Sequence, residues 1–402
     1  MNEMTLVISK QPERHKQISI LDLYNPNFSL DSLPHYNNDP TSTLCRSTNY
    51  PWRILSQDER MRFFCLANDL YKFSETYSDL INDDMNKYYY TFFIPKRNGK
   101  KRRIDAPQGK LKQALDDLKK ILTKHCCGLY HTNAFAYIKG RQPKAAVMKH
   151  QQNMSRWFMK FDFSNFFGNT TYDFLIGQLL KVYPFSTLLN EKQPRSSIYK
   201  SIFKLCFLNG GLPQGTPVSP ILTNLMMIPF DYSITKKLTS YRFVYTRYAD
   251  DLLISHRYTF DSVFDYYKKD TGDLNGREFV QKMIIDTLVD ENAPFSINSE
   301  KTRYGSSSGH NFCFGMMLNK DNEITIGHKK KDQFKALLHN YLMAKISDNP
   351  WTLEDVQVLN GTMSYYNSIN KDVVDRIVST LNHKYKVDLL QLIKQDLSTK
   401  IA

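Results

Sequence analysis

The chain has 402 residues, 41% hydrophobic and 13% aromatic, and its 54 Lys and Arg against 40 Asp and Glu give a formal net charge of +14. That length predicts two or three domains with a sizeable core, and so basic a chain suits a polyanion such as nucleic acid. With no run of about 18 apolar residues, no apolar signal-peptide core in residues 1–10, and six Cys without a C-x-x-C pair, we expect no membrane span, no zinc site and no disulfide framework, and a cytoplasmic setting.

Residues 1–50 are polar and punctuated by Asn25-Pro26, Leu33-Pro34 and Asp39-Pro40, which read as loops. A helix is expected from about Ser56 to Asp84: Ser56 and Glu59 have capping-box spacing, and Leu66, Leu70, Phe73 and Tyr77 recur at helical intervals. Tyr88 to Pro95 reads as a strand, Asn98-Gly99 as a hairpin turn, and Ile104 to Pro107 closes the return. Six of the eight residues from Lys96 to Arg103 are basic, which marks either a solvated turn or a phosphate-facing one. Leu111 to Cys126 is a helix with Leu111, Leu115, Leu118 and Leu122 on one face. Pro143 to His150 is another; His150 has no second ligand at metal-site spacing and is assigned to packing. Trp157 to Phe161 forms a buried strand with Asp162 at its end. A helical insert at about 172–208 follows.

Leu212 to Leu225 is a turn entered through Pro213 and Pro217, then a helix, with Gly215 suited to close approach by a ligand. Pro229 to Leu238 continues it after a break near Ile228-Pro229. The apolar runs Phe243-Val244-Tyr245 and Leu252-Leu253-Ile254 flank Asp250 and Asp251, a hairpin with an acidic pair at its tip. Alone, that pair reads equally as turn formers or as groups facing solvent or metal. Residues 261–290 are a helix pair broken at Thr271-Gly272 and Asn275-Gly276. From His328 the chain is helical, opening on Lys329-Lys330-Lys331.

A strand ending in Asp162, the turn Leu212-Pro213-Gln214-Gly215 before a helix, and Tyr248-Ala249-Asp250-Asp251 in a hairpin, in that order, resemble the reverse transcriptases. The resemblance runs from about Tyr89 to about Tyr366 and is closest to the bacterial retron-type, group II intron-type and defence-associated enzymes. It implies an α+β right-hand polymerase: a palm with a ferredoxin-like antiparallel sheet and helices on one face, with fingers and a helical thumb. Residues 1–85 would be a partly helical extension, 86–154 the fingers, 155–325 the palm with a fingers insert at 172–208, and 326–402 the thumb.

The implied activity is RNA-directed DNA synthesis by nucleotidyl transfer, with two Mg²⁺ ions as cofactor and Mn²⁺ as a substitute. Mg²⁺ takes hard oxygen ligands. The resemblance assigns these to Asp162 and Asp250, with Asp251 adding charge and the carbonyl of Phe163 completing the set. Arg103, and next to it Lys101, would grip the triphosphate through charge-assisted hydrogen bonds. Phe167, five residues past Asp162, would exclude a 2′-hydroxyl; Gln214 would lie near the incoming base and sugar. Lys301, in Asn298-Ser299-Glu300-Lys301-Thr302, would support the acidic site.

His131 to Arg141 resembles a stretch near template or nucleotide, with Arg141 as the contact and Ala136 where many relatives have Gly. Asn165 stands where many bacterial relatives carry Asp. Phe312 to Asn319 resembles the primer grip around Gly315, with Phe314-Gly315 where many retron enzymes carry Val-Thr-Gly. Lys329, Lys330, Lys331 and the Gly361 helix would follow the duplex, where positive charge helps. Expected partners are a dedicated non-coding RNA template, the RNA/DNA duplex and dNTPs. The resemblance to defence-associated bacterial enzymes, with a basic thumb, no Val-Thr-Gly and no evident endonuclease, integrase or zinc-finger segment, implies anti-phage defence as the expected setting. The alternatives are a template-independent or protein-primed polymerase, for which 25 Tyr offer hydroxyls, and a retron or intron enzyme with maturase-like RNA binding.

Overall fold

In the computed structural model the described residues are 57–398, except 82, 96–98, 194, 268–273, 310 and 312. The expectations for residues 1–50, for the Ser56–Glu59 capping box, and for Asn98, Thr271 and Gly272 lie outside them. The first helix, Gln57–Thr76, ends eight residues before the expected Asp84. Tyr77 follows it in a turn yet stays buried, its hydroxyl donating to Asp117 at 2.7 Å. Strands β1 (Tyr89–Pro95) and β2 (Lys101–Pro107) pair antiparallel, Phe93 opposite Arg103. The helix Gly109–Cys126 buries Leu111, Leu115, Leu118 and Leu122 completely, as its spacing predicts.

The centre is a four-stranded antiparallel sheet of β3 (Trp157–Asp162), β4 (Val244–Tyr248), β5 (Asp251–His256) and β6 (Arg303–Ser306), in the order β4-β5-β3-β6. Alternation along a strand sends successive side chains to opposite faces. Met159, Phe161, Leu252 and Ile254 therefore join the main core, with residues from the helices Ser219–Met226, Ile228–Thr239 and Gly276–Asp290. Phe158 and Leu253 face the other way, into a smaller core with Val147, Cys313, Met316 and Ile324. There the helix Pro143–Gln152 and the hairpin of β7 (Met317–Leu318) and β8 (Ile324–Thr325) cover the sheet. Asp162 and Asp251 share the facing of Phe158 and Leu253.

The insert forms the helices Tyr172–Leu179, Phe185–Leu188 and Ser196–Lys204, built into the main core. Gly276 opens its helix because a Cβ there would lie 2.2 Å from the Phe260 backbone, and Asn275 caps it in a capping box with Glu278. The last four helices, His328–Ile346, Leu353–Ile369, Lys371–Tyr385 and Leu389–Ser398, enclose a core of their own around Leu338, Leu359 and Leu389. No described helix is long and apolar enough to cross a membrane. The five described cysteines are free thiols.

Gly215 departs from its expected use. At φ +121° a Cβ would stand 2.7 Å from Ile104 Cγ2 and 2.9 Å from the Asp105 carbonyl oxygen. The close approach is made by β2 rather than a ligand, and the Asp105 N–H donates to the Gln214 carbonyl at 2.7 Å. That contact ties the basic hairpin to the Pro-Gln-Gly turn.

Candidate active site

Register brings the carboxylates together. Asp162 closes β3 opposite Asp251, the first residue of β5. The hairpin tip is therefore Ala249-Asp250 alone, and Asp251 belongs to the strand rather than the turn. The Phe163 N–H donates to the Asp250 carbonyl at 3.3 Å, and the Asn298 N–H to the Asp162 carbonyl at 2.8 Å. Lys301 Nζ sits 2.7 Å from Asp162 Oδ1, and Lys160 Nζ 2.8 Å from Asp251 Oδ2.

Asp162 is 6% exposed. Burial, and then the charge of Asp162, push the Asp250 carboxyl above its usual range. Burial pushes Asp251 up to about 6 against the opposing pull of Lys160. No three His, Cys, Asp or Glu side chains among the described residues converge as a metal cage; ammonium groups sit on two of the carboxylates instead. The donor set is still one that a hard divalent cation accepts, and burial, the main cause of both raised carboxyls, disfavours a negative charge that a bound cation would favour. Lys301, its side chain 59% exposed, has room to swing aside.

A cavity of about 350 Å³ reaches Asn165, three residues past Asp162, and is lined also by Lys101, Arg102, Arg103, Asn209 and Gln214 among others. Arg103 is held by Asp105, Nε to Oδ1 at 2.9 Å, and Thr91 donates to the same oxygen. Phe167 does not line the cavity. Its half-buried ring lies edge-on to Phe166 with centroids 5.7 Å apart, and its carbonyl accepts from Leu212 N–H at 3.0 Å, so its backbone fixes the lining loop.

A basic cavity beside strand-borne carboxylates is polymerase-like, and comparison decides the family. The family described as reverse transcriptase (RNA-dependent DNA polymerase) matches residues 94–337, a span holding all three carboxylates. The chain belongs to the reverse transcriptase family. It is 25% identical over 318 residues to the Retron Ec83 reverse transcriptase of Escherichia coli, covering 77% of this chain and 90% of that one. It is 26% identical over 269 residues to the Retron Ec73 reverse transcriptase of the same species, covering 63% and 74%. To the Retron Mx65 reverse transcriptase of Myxococcus xanthus it is 25% identical over 304 residues, covering 72% and 64%. Among solved structures, apo telomerase from Candida tropicalis aligns over 83% of this chain and 67% of that chain at 14% identity, with a TM-score of 0.45. The chain is thus a retron-like bacterial RNA-directed DNA polymerase with the α+β right-hand fold, although Phe314-Gly315 replaces Val-Thr-Gly.

Other expected residues of this reverse transcriptase fall into two groups. Gly315 and Lys330 meet: in the Cys313–Met316 turn, Phe314 and Gly315 adopt φ of +51° and +86°, and Lys330 Nζ donates to the Gly315 carbonyl at 2.5 Å. Phe314 also packs on Tyr248, centroids 5.6 Å apart, which joins this turn to the carboxylate hairpin. Lys329 is exposed and Lys331 half-buried at the same helix start. Arg141 is placed differently from its expected nucleic-acid contact. Its guanidinium turns inward onto the carbonyls of His131 and Ala134, at 2.5 and 2.6 Å, the first of which also accepts from the Ala134 N–H at 3.1 Å. His150 packs as expected, completely buried between the Ser255 and Thr246 hydroxyls at 2.6 and 2.8 Å.

Sequence reading missed Lys160 and Arg247. Arg247 is fully buried on β4, its Nε and Nη2 on the two Asp231 oxygens at 2.8 and 2.7 Å. Its Nη1 donates to Asn224 Oδ1 and to the Ala249 carbonyl, both at 3.1 Å. Ala249, at φ +59°, sits in the left-handed region that a residue with a Cβ adopts at a cost. The available signal was an arginine at an inward strand position two residues from Tyr245, which is also buried and donates to Asp231 at 2.8 Å.

Proposed function

We propose that the chain copies a dedicated non-coding RNA into cDNA by nucleotidyl transfer assisted by two divalent ions, as part of a defence against phage. The observation that carries the chemistry is the register that sets Asp162 opposite Asp251, with Asp250 in the adjoining tip. Asp162, Asp250 and the Phe163 carbonyl would hold the ions, and Asp251 would add charge. Bound there, Mg²⁺, or Mn²⁺ in its place, supplies Lewis acidity at the primer hydroxyl and the departing pyrophosphate. Lys101 and Arg103 hold the triphosphate, Gln214 meets base and sugar, and Phe167 excludes a 2′-hydroxyl from behind the loop its backbone fixes. Such transfer depends mostly on positioning and charge neutralisation, and this site offers both. Lys301 and Lys160 hold the carboxylates in place between turnovers.

The assigned regions are an extension at 1–85, fingers at 86–154, palm at 155–325 with its 172–208 insert, and thumb at 326–402. The separate core of the last four helices supports the last boundary. Gly315 with Lys329, Lys330 and Lys331 tracks the RNA/DNA duplex. A cytoplasmic setting fits the free thiols. The RNA-template reading is supported by the retron relatives and the +14 charge; the defence role is supported by the resemblance of the ordered motifs to defence-associated enzymes. The test is expression with the flanking DNA, phage challenge, and sequencing of copurifying nucleic acid for wild type and Asp250→Ala. Protection and cDNA mapping to one flanking transcript should both vanish in the variant. Protection surviving in it, or cDNA scattered over cellular RNAs, refutes the proposal.

A further inference from the structure

At the end of the sheet away from the carboxylates lies a second cavity, of about 530 Å³, whose lining includes Arg156, Trp157, Arg257 and Tyr258 and no acidic residue. Trp157 pairs with His256 in the β3–β5 register, and the Arg156 N–H donates to the His256 carbonyl at 3.0 Å. Arg156 and Arg257 lie just beyond the paired ends of β3 and β5 and line this one cavity. Both residues are exposed, and neither forms an ion pair among the described residues. Two guanidinium groups in one cavity wall, with no carboxylate in that lining, suit an anion held between the two forks.

The rings make the anion more specific. Trp157 is stacked on Tyr304 at 5.8 Å and 21°, which fixes its plane. Tyr258 is 64% exposed beside Arg257. Guanidinium groups next to an uncovered ring bind a phosphate and the base it carries; this pairing recurs where proteins hold unpaired nucleic-acid strands. Trp157 and Asp162 are the two ends of β3, about 17 Å apart at ~3.3 Å per residue. A strand held here is outside the catalytic centre.

We infer that Arg156, Trp157, Arg257 and Tyr258 form a second RNA site that holds a single-stranded stretch of the RNA being copied, through its phosphates and one stacked base. The inference rests on the RNA-copying reading above. To test it, a labelled 12-nucleotide RNA carrying 4-thiouridine is bound to the full chain and photocross-linked, with a single-stranded DNA of the same sequence in parallel. Affinity is measured between 50 and 200 mM salt. Primer extension on an annealed RNA/DNA template–primer is measured beside it. In wild type, cross-links should map to the peptides containing Trp157 or Tyr258.

Arg156→Gln with Arg257→Gln, both at exposed positions, should lose those cross-links and bind the RNA about tenfold more weakly. The log–log salt slope should be shallower by about 1.4, two single-strand contacts' worth. Extension of the annealed primer should be unchanged. Tyr258→Ala should weaken binding without changing the salt slope. Cross-links confined to other peptides, an unchanged salt slope in the double variant, or a loss seen for DNA but not RNA overturns the site. A wild-type chain that shows the cross-links but extends no primer refutes the RNA-copying reading and leaves the RNA site standing.

Discussion

Replacing Arg247 by Met tests how the carboxylate hairpin is held. The substitution removes a fully buried charge and leaves Asp231, also fully buried, with the Tyr245 hydroxyl at 2.8 Å but without its two guanidinium bonds. Breaking a buried pair from one side costs about 3–5 kcal/mol, a large share of a typical total of ~5–15 kcal/mol. Arg247→Met should therefore unfold at a much lower urea concentration. Adding Asp231→Leu removes the stranded charge, and most of the stability should return, because paired removal of buried charges is often neutral. Activity should not return with it. The Ala249 carbonyl still lacks its Nη1 donor, and the left-handed conformation at φ +59° loses the contact that holds it. Backbone held in such a region costs on the order of 1–3 kcal/mol and persists only where neighbours enforce it. Urea midpoints and single-turnover nucleotide incorporation on an annealed primer separate the two effects. A double variant with wild-type turnover refutes the bracing argument, and Arg247→Met within about 1 kcal/mol of wild type refutes the burial argument.

Three further outcomes follow from the same geometry. Asp250 has a raised pKa, so its ionised form is disfavoured in the folded state and destabilises it above the usual carboxyl pKa; Asp250→Asn should melt higher than wild type in chelator at pH 7.5. Mg²⁺ should stabilise the wild type by about 2.7 kcal/mol at hundredfold excess over Kd, raising its Tm and not that of the variant; equal Mg²⁺ shifts place the ion elsewhere. His150 is held neutral, burial lowering its pKa to about 3, so the unfolded state takes up the proton first and stability falls with pH below about 6.5, by about 2 kcal/mol between pH 7.5 and 5. His150→Gln should flatten the pH dependence of the unfolding free energy, measured with urea, by that amount, and an unchanged profile refutes the assignment. Phe167→Ala should raise ribonucleotide incorporation relative to dNTP by about tenfold or more; an unchanged ratio gives the sugar gate to a cavity residue such as Asn165 or Gln214.

Elements whose pattern repeats over a few residues were legible in the sequence. The Leu111–Leu122 spacing located a helix, the run before Asp162 a buried strand, and Asp250 with its apolar flanks a hairpin. These are local properties, since a 3.6 or a 2.0 period is completed within one element. The ordered motifs then identified the polymerase core. The sequence also overextended the first helix, because the buried Tyr77 keeps the helical spacing after the backbone has turned.

Only the tertiary structure decided which charge each carboxylate meets. Lys301 reaches Asp162 across 139 positions, and Lys160 reaches Asp251 through the β3–β5 pairing. Arg247 and Asp231 are 16 residues apart on a strand and a helix. Composition counts Arg247, Arg141 and Arg156 as equal positive charges. Packing sends the first into a buried ion pair, the second onto loop carbonyls, and the third to an exposed cavity wall shared with another arginine. Desolvation sets these energies, and desolvation depends on elements brought together from distant parts of the chain.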